Sequence, residues 1–478
     1  MDRRQFLQAA AAPLAAAPSI AASAALRPNI VWIMADDLGF GDLGCYGQKY
    51  IHTPNIDRLA AEGTLFRTAY AGCTVCAPSR SALMTGQHTG HTPVRSNPGG
   101  VPILPGETTV ADVLHSAGYA TGLFGKWGLG DIGTAGVPWQ HGFDEFFGTL
   151  HQAHAHFQYP RFLYDNAKEF PLPGNVAGAR VTYANDVIAD RAVDFIHRRG
   201  SGGNKDKPFF LYHSPTMPHF EPHVPEDSLA EYRGKFPLGQ PWSQPNGRLK
   251  AQPDVRTAYA AMVTRVDRYV GRILDELRAQ NLHRDTIVFF TSDNGATLPE
   301  INETFFSSAG NCRGHKGNLY EGGIRVPMIA RWPGHIPAAR TSDFIWYFPD
   351  FFPTAAELAG ARPTPGLDGI SVLPALLGKS QKPHETLYWE NPAYNWKTQE
   401  FAPGLPMQAI RRGNMKAFRP KQNGAVELYD LAADPTESRD LASTQPALAA
   451  EFDQLLRQSR KPPRVQKEPP HSWWEARS

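Results

Sequence analysis

The sequence predicts an α/β fold: a large, mixed but mostly parallel sheet flanked by helices, with a smaller C-terminal antiparallel sheet plus a helix. Three observations carry that expectation. Short apolar runs without polar alternation recur over most of the chain, as strands buried on both faces do. A long amphipathic helical pattern precedes one of them. Near residue 380 the texture changes to short, turn-rich segments.

Residues 29–34 form the first apolar run and read as a buried parallel strand. Helical signals follow at 55–60, and two further strands are expected at 120–124 and 209–212. Between 255 and 277 the residues Tyr259, Met262, Val263, Val266, Val270, Ile273, Leu274 and Leu277 recur at three- and four-residue steps. That is one face of a helix laid on a sheet. Residues 286–290 give another buried strand. Strands alternating with helices imply a parallel sheet with helices on both faces. Beyond 380, short segments at 386–389, 408–412, 415–418 and 427–429 suggest an antiparallel sheet, and 447–456 a helix. The expected division is a leader at 1–24, a main domain at 28–380, a small subdomain at 381–465 and a tail at 466–478.

The 478 residues carry 48 basic against 46 acidic side chains, so the basic excess of a nucleic-acid binder is absent. The opening Met1-Asp2-Arg3-Arg4-Gln5-Phe6-Leu7 resembles a twin-arginine export motif. An alanine-rich stretch follows and ends in Ala22-Ser23-Ala24, a small-residue cleavage pattern. Pro13 and Pro18 interrupt it, which favours a cleaved leader over a membrane anchor. The expectation is a protein exported in folded form by the twin-arginine machinery, periplasmic or extracellular. Four cysteines, Cys45, Cys73, Cys76 and Cys312, permit disulfides without assigning them. Cys73 and Cys76 form a lone C-x-x-C. A zinc site would want a second such pair.

Ligands of parallel α/β sheets bind beyond the carboxyl ends of the strands. Asp36-Asp37 follows the first strand and Asp293-Asn294 follows the strand at 286–290. Adjacent carboxylates repel each other unless a cation lies between them. Three carboxylates and an amide are hard oxygen donors, suited to calcium, or magnesium, rather than zinc.

The most specific motif is Cys76-Ala77-Pro78-Ser79-Arg80, continuing to Thr85-Gly86. It resembles the C-x-P-S-R signature of the type I, formylglycine-dependent sulfatases of the alkaline phosphatase superfamily, arylsulfatase-like in kind. In that family a formylglycine-generating enzyme oxidises the cysteine to an aldehyde. The aldehyde hydrates to a gem-diol; one hydroxyl attacks sulfur and the second lets the adduct collapse. Pro78 suits a first helical turn, whose positive end would face an anion.

Further motifs extend the resemblance. Residues 118–127 match G-Y-x-T-x-x-x-G-K-W, which makes Lys126 a sulfate ligand. His219 matches a histidine near the leaving oxygen, and Lys316, in Gly314-His315-Lys316, a lysine at the bridging oxygen. Arg80 would steady the hydrate and the metal carboxylates. The implied metal set is Asp36, Asp37, Cys76, Asp293 and Asn294. The run from Glu321 to Pro327 reads as structural, its glycines making a tight turn and Arg325 an internal ion pair. Leu428-Tyr429-Asp430-Leu431 with Asp434-Pro435-Thr436-Glu437 matches the family's small domain. One position departs. The family reads G-K-W-H, its histidine next to the formylglycine, but the fourth residue here is Gly128. That contact is either missing or supplied by another residue.

The resemblance implies a hydrolase of sulfate monoesters, with sulfated carbohydrate as substrate and aryl sulfates as surrogates. His151, His154, His156 and Tyr159 suit either contact with a sugar or aryl ring, or a packed loop. Two alternatives stand beside this reading. One is a phosphate or phosphonate monoester hydrolase of the same superfamily. The other is a non-catalytic binder of sulfated glycans with Cys76 unmodified.

Overall fold

The computed structural model describes residues 26–97, 101–201, 207–243, 250–296, 305–362, 364–395 and 397–464. The expected leader and the tail from 466 lie outside the described residues. The strands of the first part are β1 (Asn29–Ala35), β2 (Thr64–Phe66), β3 (Ala69–Tyr70), β4 (Ala120–Lys126), β5 (Glu145–Thr149), β6 (Phe162–Asp165), β7 (Lys168–Pro171), β8 (Phe209–Ser214), β9 (Thr286–Ser292), β10 (Met328–Arg331), β11 (Arg340–Ser342) and β12 (Trp346–Tyr347). Those of the second are β13 (Leu387–Asn391), β14 (Tyr394–Asn395), β15 (Glu400–Phe401), β16 (Met407–Arg412), β17 (Met415–Arg419) and β18 (Glu427–Asp430).

Ten strands make one sheet in the order β11-β2-β10-β9-β1-β8-β4-β5-β6-β7. Its centre, β9-β1-β8-β4-β5, is parallel. The β10–β9, β10–β2, β5–β6 and β6–β7 pairs are antiparallel. The sheet is therefore mixed and mostly parallel, as the sequence predicts. Each apolar run serves both faces. In β1, Val31, Ile33 and Ala35 belong to one core, while Ile30, Trp32 and Met34 belong to the other. Helices Pro54–Ala61, Ala184–Gly200 and Val255–Ala279 cover the first face. Helices Cys76–Thr85, Val110–Ser116 and Phe351–Ala359 cover the second. The apolar stripe read from 255 to 277 is buried along its length, and Asp254 caps that helix by accepting from the Thr257 amide at 3.2 Å.

The C-terminal sheet runs β13-β16-β17-β18, all antiparallel. Its alternation splits two small cores. Tyr388, Ile410, Ala417 and Leu428 meet Phe452 and Leu456 of the helix Pro446–Gln458. Leu387, Trp389, Ala409 and Phe418 meet Tyr70, Leu319 and Tyr347 of the larger body. The Trp389 indole donates to the Ala71 carbonyl at 2.8 Å. Beside it, the buried Lys416 ammonium lies 3.0 Å from Glu321 and 2.8 Å from Glu437.

That triad corrects the expectation for Arg325. Glu321 takes Lys416 as its ion-pair partner, whereas Arg325 donates to the Arg67 carbonyl at 2.6 Å and covers the Phe40 ring. Gly323 serves close approach, since a Cβ there would lie 2.0 Å from the Asn318 carbonyl oxygen. No helix among the described residues is long and apolar enough to cross a membrane.

Candidate active site

Topology brings the two acidic pairs together. β1 and β9 pair in register, with Ala35 opposite Ser292, so Asp36-Asp37 and Asp293-Asn294 leave the sheet side by side. The neighbouring β8 leads to His219, and β4 ends on Lys126. The Asp37 amide donates to Asp293 Oδ1 at 3.1 Å, and Asn294 Nδ2 donates to Asp37 Oδ1 at 2.6 Å. All four residues are buried.

The helix Cys76–Thr85 points its N-terminus at this group, and every one of its residues is buried. Ser79 donates to the Asp293 carbonyl at 2.5 Å and accepts from the Gly72 amide. The Ala77 amide is taken by Asn97 Oδ1 at 3.2 Å. Cys76 Sγ consequently lies 3.5 Å from Asp36, 3.9 Å from Asp37 and 3.3 Å from Lys316 Nζ. Cys73 and Cys76 both carry free thiols, as do Cys45 and Cys312. Cys73 donates to the Glu390 carbonyl at 3.5 Å.

Cations surround the acids. Arg80 grips Asp293 Oδ2 through Nε and Nη2 at 3.0 and 2.8 Å, and its Nη1 donates to Ser214 and to the Lys126 carbonyl. Lys126 Nζ contacts both Asp36 oxygens at 3.0 and 2.8 Å, and Lys316 Nζ both Asp37 oxygens at 2.7 and 2.8 Å. His219 Nε2 stands 3.2 Å from Asp37 Oδ2. Its Nδ1 lies 2.8 Å from the Phe220 carbonyl. Burial alone would lower the Lys316 and Lys126 ammonium groups, but Asp37 and Asp36 respectively hold them above their ordinary range. Burial, reinforced by Lys316 and Lys126, pushes His219 well below its ordinary value. The Cys76 thiol is pushed far up by burial and then by Asp293, with the lysines only partly offsetting this.

All nine candidate residues of the sequence reading thus meet at one point. The donor atoms of Asp36, Asp37, Cys76 and His219 lie within 4.8 Å of one another, and Asp293 and Asn294 touch this group through Asp37. The buried Asn294 Oδ1 has no hydrogen-bond partner among the described residues. Three converging carboxylates and that orphaned amide oxygen fit a hard divalent cation. His219 enters this group although the sequence reading did not place it among the metal donors.

The structure divides the histidine-rich stretch. His154 Nε2 bonds the Phe162 carbonyl at 2.9 Å within the loop, whereas His156 stacks on His219 with centroids 4.7 Å apart. At Gly128, φ is +79°, and a Cβ would lie 2.0 Å from Gln152 Nε2. The Gln152 amide fills the space of a side chain there, with Nε2 donating to the Gly128 carbonyl at 3.1 Å. Sequence reasoning also missed Thr74. It donates to the Asn318 carbonyl at 2.6 Å and accepts from the Gly317 amide at 2.9 Å, latching the Lys316 loop to the Cys76 turn. Nothing in its local pattern marks Thr74, because the contact spans more than two hundred residues.

A hydrolytic centre at the carboxyl ends of a mostly parallel sheet is the class that this fold and site define. The comparisons narrow it. The sulfatase family model matches residues 28–361, and the model for the N-sulphoglucosamine sulphohydrolase C-terminal region matches 315–461. Arylsulfatase A of Homo sapiens is 33% identical over 90% of this chain and 86% of its own. N-acetylgalactosamine-6-sulfatase of Canis lupus familiaris is 34% identical over 76% and 69%. Among solved structures, Ps i-CgsB in complex with k-i-k-neocarrahexaose superposes with a TM-score of 0.76 at 29% identity, covering 92% of this chain and 95% of that one. The chain belongs to the sulfatase family, with the alkaline phosphatase-like fold, and is a sulfuric ester hydrolase.

Proposed function

We propose that this sulfatase cleaves sulfate monoesters of carbohydrates through a formylglycine made from Cys76, with a calcium ion, or magnesium, held by Asp36, Asp37, Asp293 and Asn294. The observation that carries this reading is the position of Cys76, at the buried N-terminus of its helix, between Asp36 and the Lys316 ammonium. Its thiol is held protonated, so the unmodified side chain is a poor nucleophile at neutral pH. The hydrated aldehyde would supply a hydroxyl for attack at sulfur and a second hydroxyl whose deprotonation would release sulfate. Held by Asp36, Asp37, Asp293 and Asn294, such an ion would supply positive charge to the sulfate oxygens and to the nucleophile.

The chain's own groups do the rest. Lys126 and Lys316, kept charged by their carboxylates, bind the sulfate. Lys316 also offers a proton to the departing alcohol oxygen, which offsets the charge developing there. His219 lies on the leaving-group side. Arg80 orients Asp293 and the nucleophile helix. The carbohydrate assignment draws on the relatives: one acts on an N-acetylgalactosamine sulfate by name, and one is bound to a neocarrahexaose. The motif at 1–24 supports export by the twin-arginine route, after modification by a formylglycine-generating enzyme. We draw the division near residue 380, with the catalytic machinery in 28–380 and 381–465 as a bracing subdomain.

The test is the mass of the Cys76 peptide from protein made with its maturation enzyme, paired with 4-nitrophenyl sulfate turnover with and without calcium. A loss of about 18 Da with metal-dependent turnover is expected. An unmodified peptide from a fully active enzyme would overturn the formylglycine route.

A further inference from the structure

A row of rings leads away from the reaction centre. His219, 3.2 Å from Asp37, stacks on His156 at 4.7 Å and contacts Phe220 at 4.1 Å. Phe220 in turn stacks on Trp242, with centroids 6.0 Å apart and planes 28° from parallel. His156, Phe220 and Trp242 are all partly exposed, unlike His219. The backbone that carries the outermost ring is tied down. Trp242 and Gln252 exchange both backbone hydrogen bonds at 2.9 Å, and the Gln252 amide donates to the Pro222 carbonyl at 3.1 Å. The Glu221 amide donates to the His156 carbonyl at 2.9 Å, tying the two loops that carry these rings.

From this geometry we infer that the His156–Phe220–Trp242 row is a docking track for the alcohol part of the substrate, and that Trp242 takes a second sugar ring. The inference rests on the carbohydrate reading above. Two ring-to-ring steps separate Trp242 from His219. A single sugar bonded to a sulfate at Cys76 therefore meets His219 and Phe220, and only a second ring reaches Trp242. Partly exposed, preorganised aromatic faces suit the apolar faces of pyranose rings, because little is lost in ordering them on binding. The substrate class is accordingly a sulfated oligosaccharide rather than a sulfated monosaccharide.

The test compares kcat/KM of the modified enzyme on N-acetylgalactosamine 6-sulfate and on disaccharides carrying that unit at either end, with galactose monosulfates and their disaccharides run in parallel. The wild-type enzyme prefers a disaccharide. Trp242→Ala erases that preference, raising KM for the disaccharide about tenfold more than for the monosaccharide, with kcat little changed. Trp242→Phe restores most of the preference. Equal losses on both lengths, or no length preference in the wild-type enzyme, would overturn the track. Turnover of 4-nitrophenyl sulfate with none of any sugar sulfate would instead overturn the carbohydrate reading and the track with it.

Discussion

Gly128 is where a single residue departs most clearly from the pattern around it. Its positive φ and the Gln152 amide lying over it leave no room for a side chain. Restoring the family's histidine there is expected to destabilise the protein. A left-handed non-glycine residue costs about 1–2 kcal/mol before the clash with Gln152 is counted. Gly128→His should lower the midpoint of thermal unfolding by several degrees without raising turnover. An unchanged midpoint together with faster turnover would show that the Gln152 amide yields easily. The sequence revealed this departure but not its compensation. Gly128 stands out because the motif around it is intact, whereas Gln152 lies in a loop whose approach depends on the neighbouring ends of β4 and β5. The nine site residues were legible because each sits in or beside a short motif, whether at the end of a strand (Asp36-Asp37, Lys126, Asp293-Asn294), in the helix Cys76–Thr85 (Cys76, Arg80) or in a loop (His219, Lys316). Thr74 and Asn97 were not, since their contacts are set by tertiary closure alone.

At the scale of an element, the turn that follows the nucleophile helix carries a titratable lock. His88 and His91 stack with centroids 4.3 Å apart over Asp368, whose Oδ2 lies 2.9 Å from His91 Nδ1, and His88 packs on Tyr388 of β13. Burial pushes His88 down to about 4, against the pull of Asp368 and with a smaller push from His91 and Arg95. The unfolded chain takes that proton near the ordinary value of about 6.5. Between those two values the unfolded state binds more protons, so stability falls as pH drops from the upper value to the lower. Urea midpoints at pH 7 and pH 5 should differ less in His88→Gln than in the wild-type protein. Identical differences would place the acid sensitivity elsewhere. This turn was opaque in the sequence because Asp368 is distant in the chain, whereas the helix Val255–Ala279 was legible because its stripe is local and regular.

Across the whole molecule, the buried triad of Lys416, Glu321 and Glu437 ties the C-terminal sheet to the loop after Lys316. Removing its ammonium leaves Glu437 and Glu321 buried together, with only the more distant Arg325 and Arg411 charges acting on Glu321. Lys416→Met should therefore cost about 3–5 kcal/mol in urea unfolding, and adding Glu321→Gln and Glu437→Gln should return much of it. A loss below about 1 kcal/mol would show that water enters and replaces the ammonium. The change of texture near residue 380 revealed the second sheet. Its attachment through ions and through Trp389 could not be read, because both depend on which face of a short strand turns inward.

Cys76 is 1% exposed, and no residue of its helix reaches the surface. An enzyme that oxidises this thiol must take the segment into its own cleft, so it acts while the chain is still open. On the proposed formylglycine route, maturation would be a race in time between oxidation and folding. On that route, a cell that folds the chain too quickly would accumulate a well-formed but inert protein, which later addition of the oxidising enzyme would not revive. With all four thiols unpaired, no disulfide would hold the chain back, and on that route the active yield would be set by how long residue 76 stays within reach.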